Sequence, residues 1–227
     1  MEYTDIRFPH LGIVFSNVGQ YIQVGNFKIM YYGIVIAIGF LLGLVVTRWE
    51  AKKMDLQTVF AERRSVRKYS SAPSHEELTE ILNAARMAPS WKNSQTTRWY
   101  VVEAPEKLEE IRLALHAINQ QKAANAALLV SAYVRDIAGF TKGEADNEVG
   151  NGWGAYDLGL HDAYLILAAK DAGYDTLIMG LRDADKIRSL LSIPEEEEIL
   201  SVIAIGKRAE EPAQRPRKPL EEIVTFF

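Results

Sequence analysis

Cysteine is absent from this chain of 227 residues. That excludes disulfides, a thiol nucleophile, and any zinc or iron–sulfur centre built on cysteine. The four histidines (His10, His75, His116 and His161) show no metal-ligand spacing. His161 lies in an apolar stretch and reads as a core residue. The chain has no G-x-S-x-G, HExxH, G-x-G-x-x-G or Walker loop, so no nucleophile elbow, zincin helix or nucleotide cradle announces itself. A basic excess is missing too. Lys and Arg number 26 against 30 Asp and Glu, a net charge of -4, and nothing in that balance points to nucleic acid. There are no internal repeats and no low-complexity linkers. What remains is 48% hydrophobic and 25% charged, an ordinary globular composition, long enough for one large domain or two small ones.

Charge is scarce in one place. Residues 1–50 hold six charged side chains: Glu2, Asp5, Arg7, Lys28, Arg48 and Glu50. From Ile29 to Thr47 the chain carries none. A helix over that run rises about 28 Å, close to the roughly 30 Å of bilayer hydrocarbon. Tyr31 and Tyr32 near one end and Trp49 at the other suit membrane interfaces, and Gly33, Gly39 and Gly43 suit helix packing in lipid. The pattern predicts one transmembrane helix over 29–47, with a buried core helix as the alternative. A cleaved signal peptide does not fit, because the run starts late and lacks a small-x-small site. Basic residues follow the span (Arg48, Lys52, Lys53, Arg63, Arg64, Arg67, Lys68) and only Arg7 and Lys28 precede it. The rest of the chain is therefore expected in a bacterial cytoplasm, tethered to the inner face of the plasma membrane.

Asp5-Ile-Arg-Phe-Pro-His-Leu-Gly-Ile13, Phe27 to Gly33 and Glu50-Ala-Lys-Lys53 resemble the start of prolipoprotein diacylglyceryl transferase. That resemblance implies an outer stretch and a first transmembrane helix. The later helices and the catalytic His and Arg motifs of that family do not follow. The head thus reads as an anchor or a fusion remnant, with a transferase fragment as a remote alternative. Two domains are expected, 1–54 and 55–227.

Beyond residue 54 helical and strand patterns interleave. Ser74 and Glu77 form a capping-box pattern opening a helix to about Met87. Strands are predicted at Trp99–Val102, Ala127–Val134, Thr176–Met179 and Ile199–Ile205. Helices are predicted over Pro105 to about Ala126, with Leu108, Ile111, Leu115 and Ile118 in phase, over Tyr156–Ala172, and from Asp183 to Leu191. This is a layered arrangement with helices covering a central sheet.

Three clusters carry the chemistry. They are Arg63-Arg64-Ser65-Val66-Arg67-Lys68, Ala88-Pro89-Ser90-Trp91-Lys92-Asn93-Ser94-Gln95 and Arg215-Pro216-Arg217-Lys218-Pro219. Guanidinium groups bind phosphate bidentately, so arginines gathered at both ends of an acidic domain point to an anionic ligand. A solvated charged surface is the alternative. Taken in order, these clusters resemble the nitroreductase family over about residues 58–227. The resemblance implies an α+β, three-layer domain with a central, mostly antiparallel sheet flanked by helices. It implies a homodimer with FMN at the interface and NADH or NADPH as reductant.

On that resemblance Arg63, Arg64, Ser65 and Arg67 form the first flavin-binding segment. Pro89, Ser90 and Asn93 reach the flavin from the other subunit. Met179 and Gly180 form the loop facing flavin N5. Arg215 and Arg217 clamp the phosphate, with Lys218 assisting. Hydride would pass from NAD(P)H through N5 to a nitroaromatic, quinone or similar electron-poor acceptor, with no catalytic side chain and no metal required. A flavin-binding module without turnover is the alternative. The chain departs from the family at Thr96 and Thr97, where Pro and an aromatic are common, and at bulky Trp91, which is expected in the substrate pocket. The stretch between Val134 and Trp153, which in the family shapes substrate access, is short.

Overall fold

The computed structural model describes residues 3–19, 21–50 and 55–227. The junction at 51–54 with Lys52 and Lys53, and the side chains of Arg48 and Trp49, lie outside the described residues. The chain divides into two compact units, Met1–Met54 and Asp55–Phe227.

In the first unit β1 (Tyr3–Phe8) pairs antiparallel with β2 (Ile13–Gly19), and β3 (Tyr21–Val24) with β4 (Phe27–Met30). Gly12 (φ 64) and Gly25 (φ 60) sit at the two turns, in the left-handed region that glycine enters without strain. Helix α1 (Tyr31–Glu50) follows. The transmembrane prediction is corrected here. Ile29 and Met30 pair with Ile22 and Tyr21 in a hairpin, so the charge-free run loses its first residues to a strand. The uncharged part of α1, residues 31–47, rises about 26 Å, at the short end for a bilayer span. Among the described residues no helix is long and apolar enough to cross a membrane, so the expected tether has no spanning helix to support it.

The second unit opens with α2 (Leu56–Glu62), capped by the Asp55 carboxylate on the Thr58 N–H. Then come β5 (Tyr69–Ser71), α3 (His75–Ala85), β6 (Thr97–Val102), α4 (Pro105–Leu113), α5 (Ala117–Gln120), β7 (Ala127–Val134), β8 (Phe140–Thr141), β9 (Glu144–Ala145), α6 (Gly152–Asp171), β10 (Asp175–Met179), α7 (Ala184–Leu191) and β11 (Glu197–Arg208). The central sheet runs β10-β11-β7-β6, antiparallel throughout, with β5 added to the end of β11.

Alternation along the strands builds two cores. Leu128, Val130 and Ala132 of β7, with Val202 and Ala204 of β11, face the side of α4 and α7, where Ile111 and Ile187 are fully buried. Ala127 and Leu129, with Ile203 and Ile205, face Leu78 and Ile81 of α3 and Leu165 and Ala169 of α6. The result is three layers, as two-sided burial of the β7 and β11 strands requires.

The capping box at Ser74 forms on both sides: the Glu77 N–H donates to Ser74 Oγ (3.2 Å) and the Ser74 N–H to Glu77 Oε2 (2.8 Å). One prediction overshoots. Pro105–Ala126 is not one helix, because α4 stops at Leu113. Leu115 leaves it to bridge Arg182, and the His116 N–H donates to Leu181 O (3.1 Å). Ile118, in phase for a continued helix, is left 61% exposed.

Candidate functional site

The first arginine cluster sits where α2 ends. Val59, Val66 and Tyr69 plug the segment into the core, each at most 3% exposed. Ser65 bridges Thr176 of β10, and the Val66 N–H donates to Thr176 O (3.1 Å). With those apolar plugs turned inward, the polar residues between them face a cleft of about 230 Å³. Arg63, Arg64, Ser65 and Arg67 line one side, and Arg215 and Arg217 of the C-terminal stretch line the other. Six of the expected site residues are therefore brought together from opposite ends of the domain. Lys218 is not among them: it is exposed and pairs with Glu222 (3.3 Å).

The electrostatics of this cleft are lopsided. Among the described residues, none of the five arginine side chains is ion-paired with a carboxylate. Arg64 donates to Ala61 O and Arg63 O, Arg67 to Ser65 O, and Arg217 to Arg215 O. The nearby acids are engaged elsewhere. Asp175 takes a two-pronged contact from Arg208 (2.7 and 2.8 Å) and lies 3.9 Å from Lys170, Glu62 pairs with Lys170 (3.5 Å), and Glu210 pairs with Lys68 (3.8 Å) while accepting the Arg67 backbone N–H (3.1 Å) rather than its guanidinium. Burial, together with the charges of Arg217 and Arg64, pulls the Arg63 pKa below its ordinary value. Like charges are held close with only the charge of Asp175 acting against them at Arg63, an arrangement suited to a dianion such as a phosphate monoester.

Strand β10 links this cleft to the next group. Thr176, which carries Ser65, stands four residues before Gly180, about 13 Å along a strand. The Met179 side chain is 2% exposed and belongs to the core. Gly180 lies open, since a Cβ there would meet nothing within 4 Å.

The Pro89–Gln95 segment does not line the arginine cleft. It is a tight loop after α3. The Asn93 N–H donates to Ser90 O (3.0 Å), and Ser90 Oγ accepts the Gln95 N–H (3.0 Å). Lys92, Asn93 and Gln95 all have positive φ (46, 56 and 50°), a costly conformation for side-chain-bearing residues. Asp157 of α6, 3% exposed, holds the loop by accepting the Trp91 N–H (2.8 Å). Nearby, buried Asp162 accepts from Trp99 Nε1 (3.0 Å) and Ser131 Oγ (2.8 Å). Burial pushes the Asp162 carboxyl pKa up. His161 is buried, its Nδ1 2.9 Å from Asp157 O, the core role expected of it.

Asp157, Trp153 and the Asp175–Arg208 pair were not anticipated from sequence. A signal for the first existed: carboxylates inside an otherwise apolar helix need buried partners.

Comparison with known proteins adds three findings. The family model described as Nitroreductase family matches residues 60–207. A Thermus thermophilus protein named NADH dehydrogenase is 28% identical over 197 residues, covering 76% of this chain and 96% of the relative. Two solved structures share the fold. A crystal structure titled as an oxidoreductase containing FMN has a TM-score of 0.64, 27% identity, and covers 74% of this chain and 89% of its own. Nitroreductase A from Vibrio parahaemolyticus has a TM-score of 0.64, 26% identity, and covers 76% and 75%.

Proposed function

Because this chain belongs to the nitroreductase family, we propose that it is an NAD(P)H-dependent flavin oxidoreductase that holds FMN in its arginine cleft. The observation that carries this reading is the cleft itself: five arginines converge on one small volume, and the surrounding carboxylates are already engaged. Arg63, Arg64, Arg67, Arg215 and Arg217 would hold the phosphate, and Ser65 would donate to the chain beside it. Gly180, just past β10, has no side chain to keep a planar ring from its backbone. When bound, FMN supplies the hydride-accepting N5 atom between NADH or NADPH and an electron-poor acceptor such as a nitroaromatic or quinone. The protein's work is to bind, orient and place positive charge beside a ring that becomes anionic on reduction.

The separation of Pro89, Ser90, Trp91 and Asn93 from the cleft favours completion of the site by a second copy. Helix α6 offers a face for one. Tyr164 is 44% exposed, with half-buried Leu160, Ala163 and Leu167 on the same side of the helix.

The test is a visible spectrum of the full-length protein, before and after NADH and NADPH. A yellow protein bleached by one of them supports the reading. A colourless protein that ignores added FMN overturns it, and bound FMN that neither nucleotide reduces favours a binding module without turnover.

A further inference from the structure

The segment 91–97 is unusual in two independent ways. It holds three of the seven positive-φ residues other than glycine among the described residues, so its shape is imposed rather than preferred. It also holds four of the six buried side-chain polar atoms that lack a hydrogen-bond partner there: Trp91 Nε1, Ser94 Oγ, Thr96 Oγ1 and Thr97 Oγ1. Strain and missing hydrogen bonds concentrated in one loop mark it as a place where stability has yielded to something else.

What the loop presents is a row of aromatic rings. The Trp91 and Trp153 centroids lie 4.7 Å apart, and Tyr156 stands edge-on to Trp153 at 5.8 Å. Lys92 Nζ lies 5.7 Å from the Trp91 ring. The row is braced from behind. Lys92 donates to Thr141 Oγ1 (3.1 Å) and pairs with Asp146 (3.4 Å), tying the loop to the β8–β9 hairpin. Trp153 Nε1 donates to Asn147 Oδ1 (2.9 Å), and the ring rests on Gly139 (φ 82), where a Cβ would come within 2.4 Å of it. Tyr156 is the open end of the row.

Resting on the flavin reading above, the geometry points to Trp153, with Trp91 and Tyr156, as a specificity wall for planar, electron-poor acceptors. Indole and phenol faces carry negative quadrupole charge, so they attract rings that are short of electrons. The Lys92 ammonium near the Trp91 ring obeys the same electrostatics. Trp153 is the keystone, because it touches both other rings and the hairpin. A small inorganic oxidant, which needs no stacking surface, would not depend on it.

The experiment uses the full-length, FMN-loaded protein, with turnover measured for 1,4-benzoquinone and for ferricyanide. The reductive half-reaction is common to both acceptors and cancels in the comparison. In Trp153→Leu the quinone-to-ferricyanide ratio of kcat/KM should fall about three- to tenfold, the scale of one lost aromatic contact. Trp153→Phe should recover most of it. Should Trp153→Leu fail to fold, Tyr156→Leu at the exposed end of the row should lower the same ratio. A wild type that binds no FMN overturns both this inference and the reading beneath it. A yellow, reducible wild type whose folded variants keep the ratio unchanged overturns this inference alone.

Discussion

Arg217 can be removed with opposite consequences for binding and for folding. Its guanidinium lines the arginine cleft, is exposed, and donates only to Arg215 O and Pro216 O. Its charge also helps to lower the Arg63 pKa, so in the ligand-free protein it acts as a repeller. Arg217→Ala should leave the melting temperature of the FMN-free protein unchanged or raise it. The same change removes a charge-assisted contact to phosphate, worth about 1–2 kcal/mol once solvent screening is allowed for, so FMN should bind roughly 5- to 30-fold more weakly. The assay is a fluorescence-quenching titration of FMN, with melting curves with and without the flavin. Raising salt from about 0.1 to 1 M shortens the screening length from about 10 to 3 Å and should weaken FMN binding in the wild type more than in the variant. A variant that melts lower without ligand yet binds FMN as tightly as wild type would refute the reasoning, since Arg217 would then be a structural brace.

Three other outcomes follow from buried groups. The raised Asp162 pKa means its charged form is disfavoured in the fold. The cost appears as pH rises from the ordinary carboxylate range through the raised value, and vanishes below it. Asp162→Asn, which can still accept from Trp99 Nε1 and Ser131 Oγ, should therefore gain on wild type in melting temperature at neutral pH and lose that advantage near pH 4; a constant gap would contradict this. Asp175→Asn removes the buried partner of Arg208 and Lys170, which keep only the exposed Glu211 and Glu62, and should destabilise by about 1–3 kcal/mol in a urea titration, where an unchanged midpoint would count against it. Gly154→Ala would put a Cβ 2.4 Å from the Tyr133 ring, costing about 1–3 kcal/mol, a drop of roughly 3–10 °C by calorimetry; a drop below 1 °C would mean that the ring yields freely.

Local signals account for the parts of the fold that were legible. Ala127–Val134 is apolar at both strand faces and became the strand with a core on each side. Ser74 and Asp183 announce helix starts because capping needs only neighbours within three residues. Pro105–Ala126 failed because periodicity cannot see the bridge from Leu115 to Arg182, 67 residues away. The head failed for a different reason. Its hairpins leave both faces largely exposed, so no alternation separates a strand residue such as Ile29 from the helix that follows.

The site divides along the same line. Arginines at 63, 64 and 67 and at 215 and 217 could be picked out by composition, but their meeting depends on β10 and on the return of the chain after β11. The loop at 91–97 was legible as a motif and illegible as a shape. Its conformation is set from α6, where Asp157 accepts the Trp91 N–H and Trp153 packs on the Trp91 ring. A helix that buries Asp157, His161 and Asp162 among leucines and alanines pays in desolvation for each of them. That cost is offset only if they fix something outside the helix, and two of them fix the loop and the Trp99 strand beside it. Polar residues placed against the grain of α6 were thus the one sequence signal for the side of the site that motif and periodicity left out.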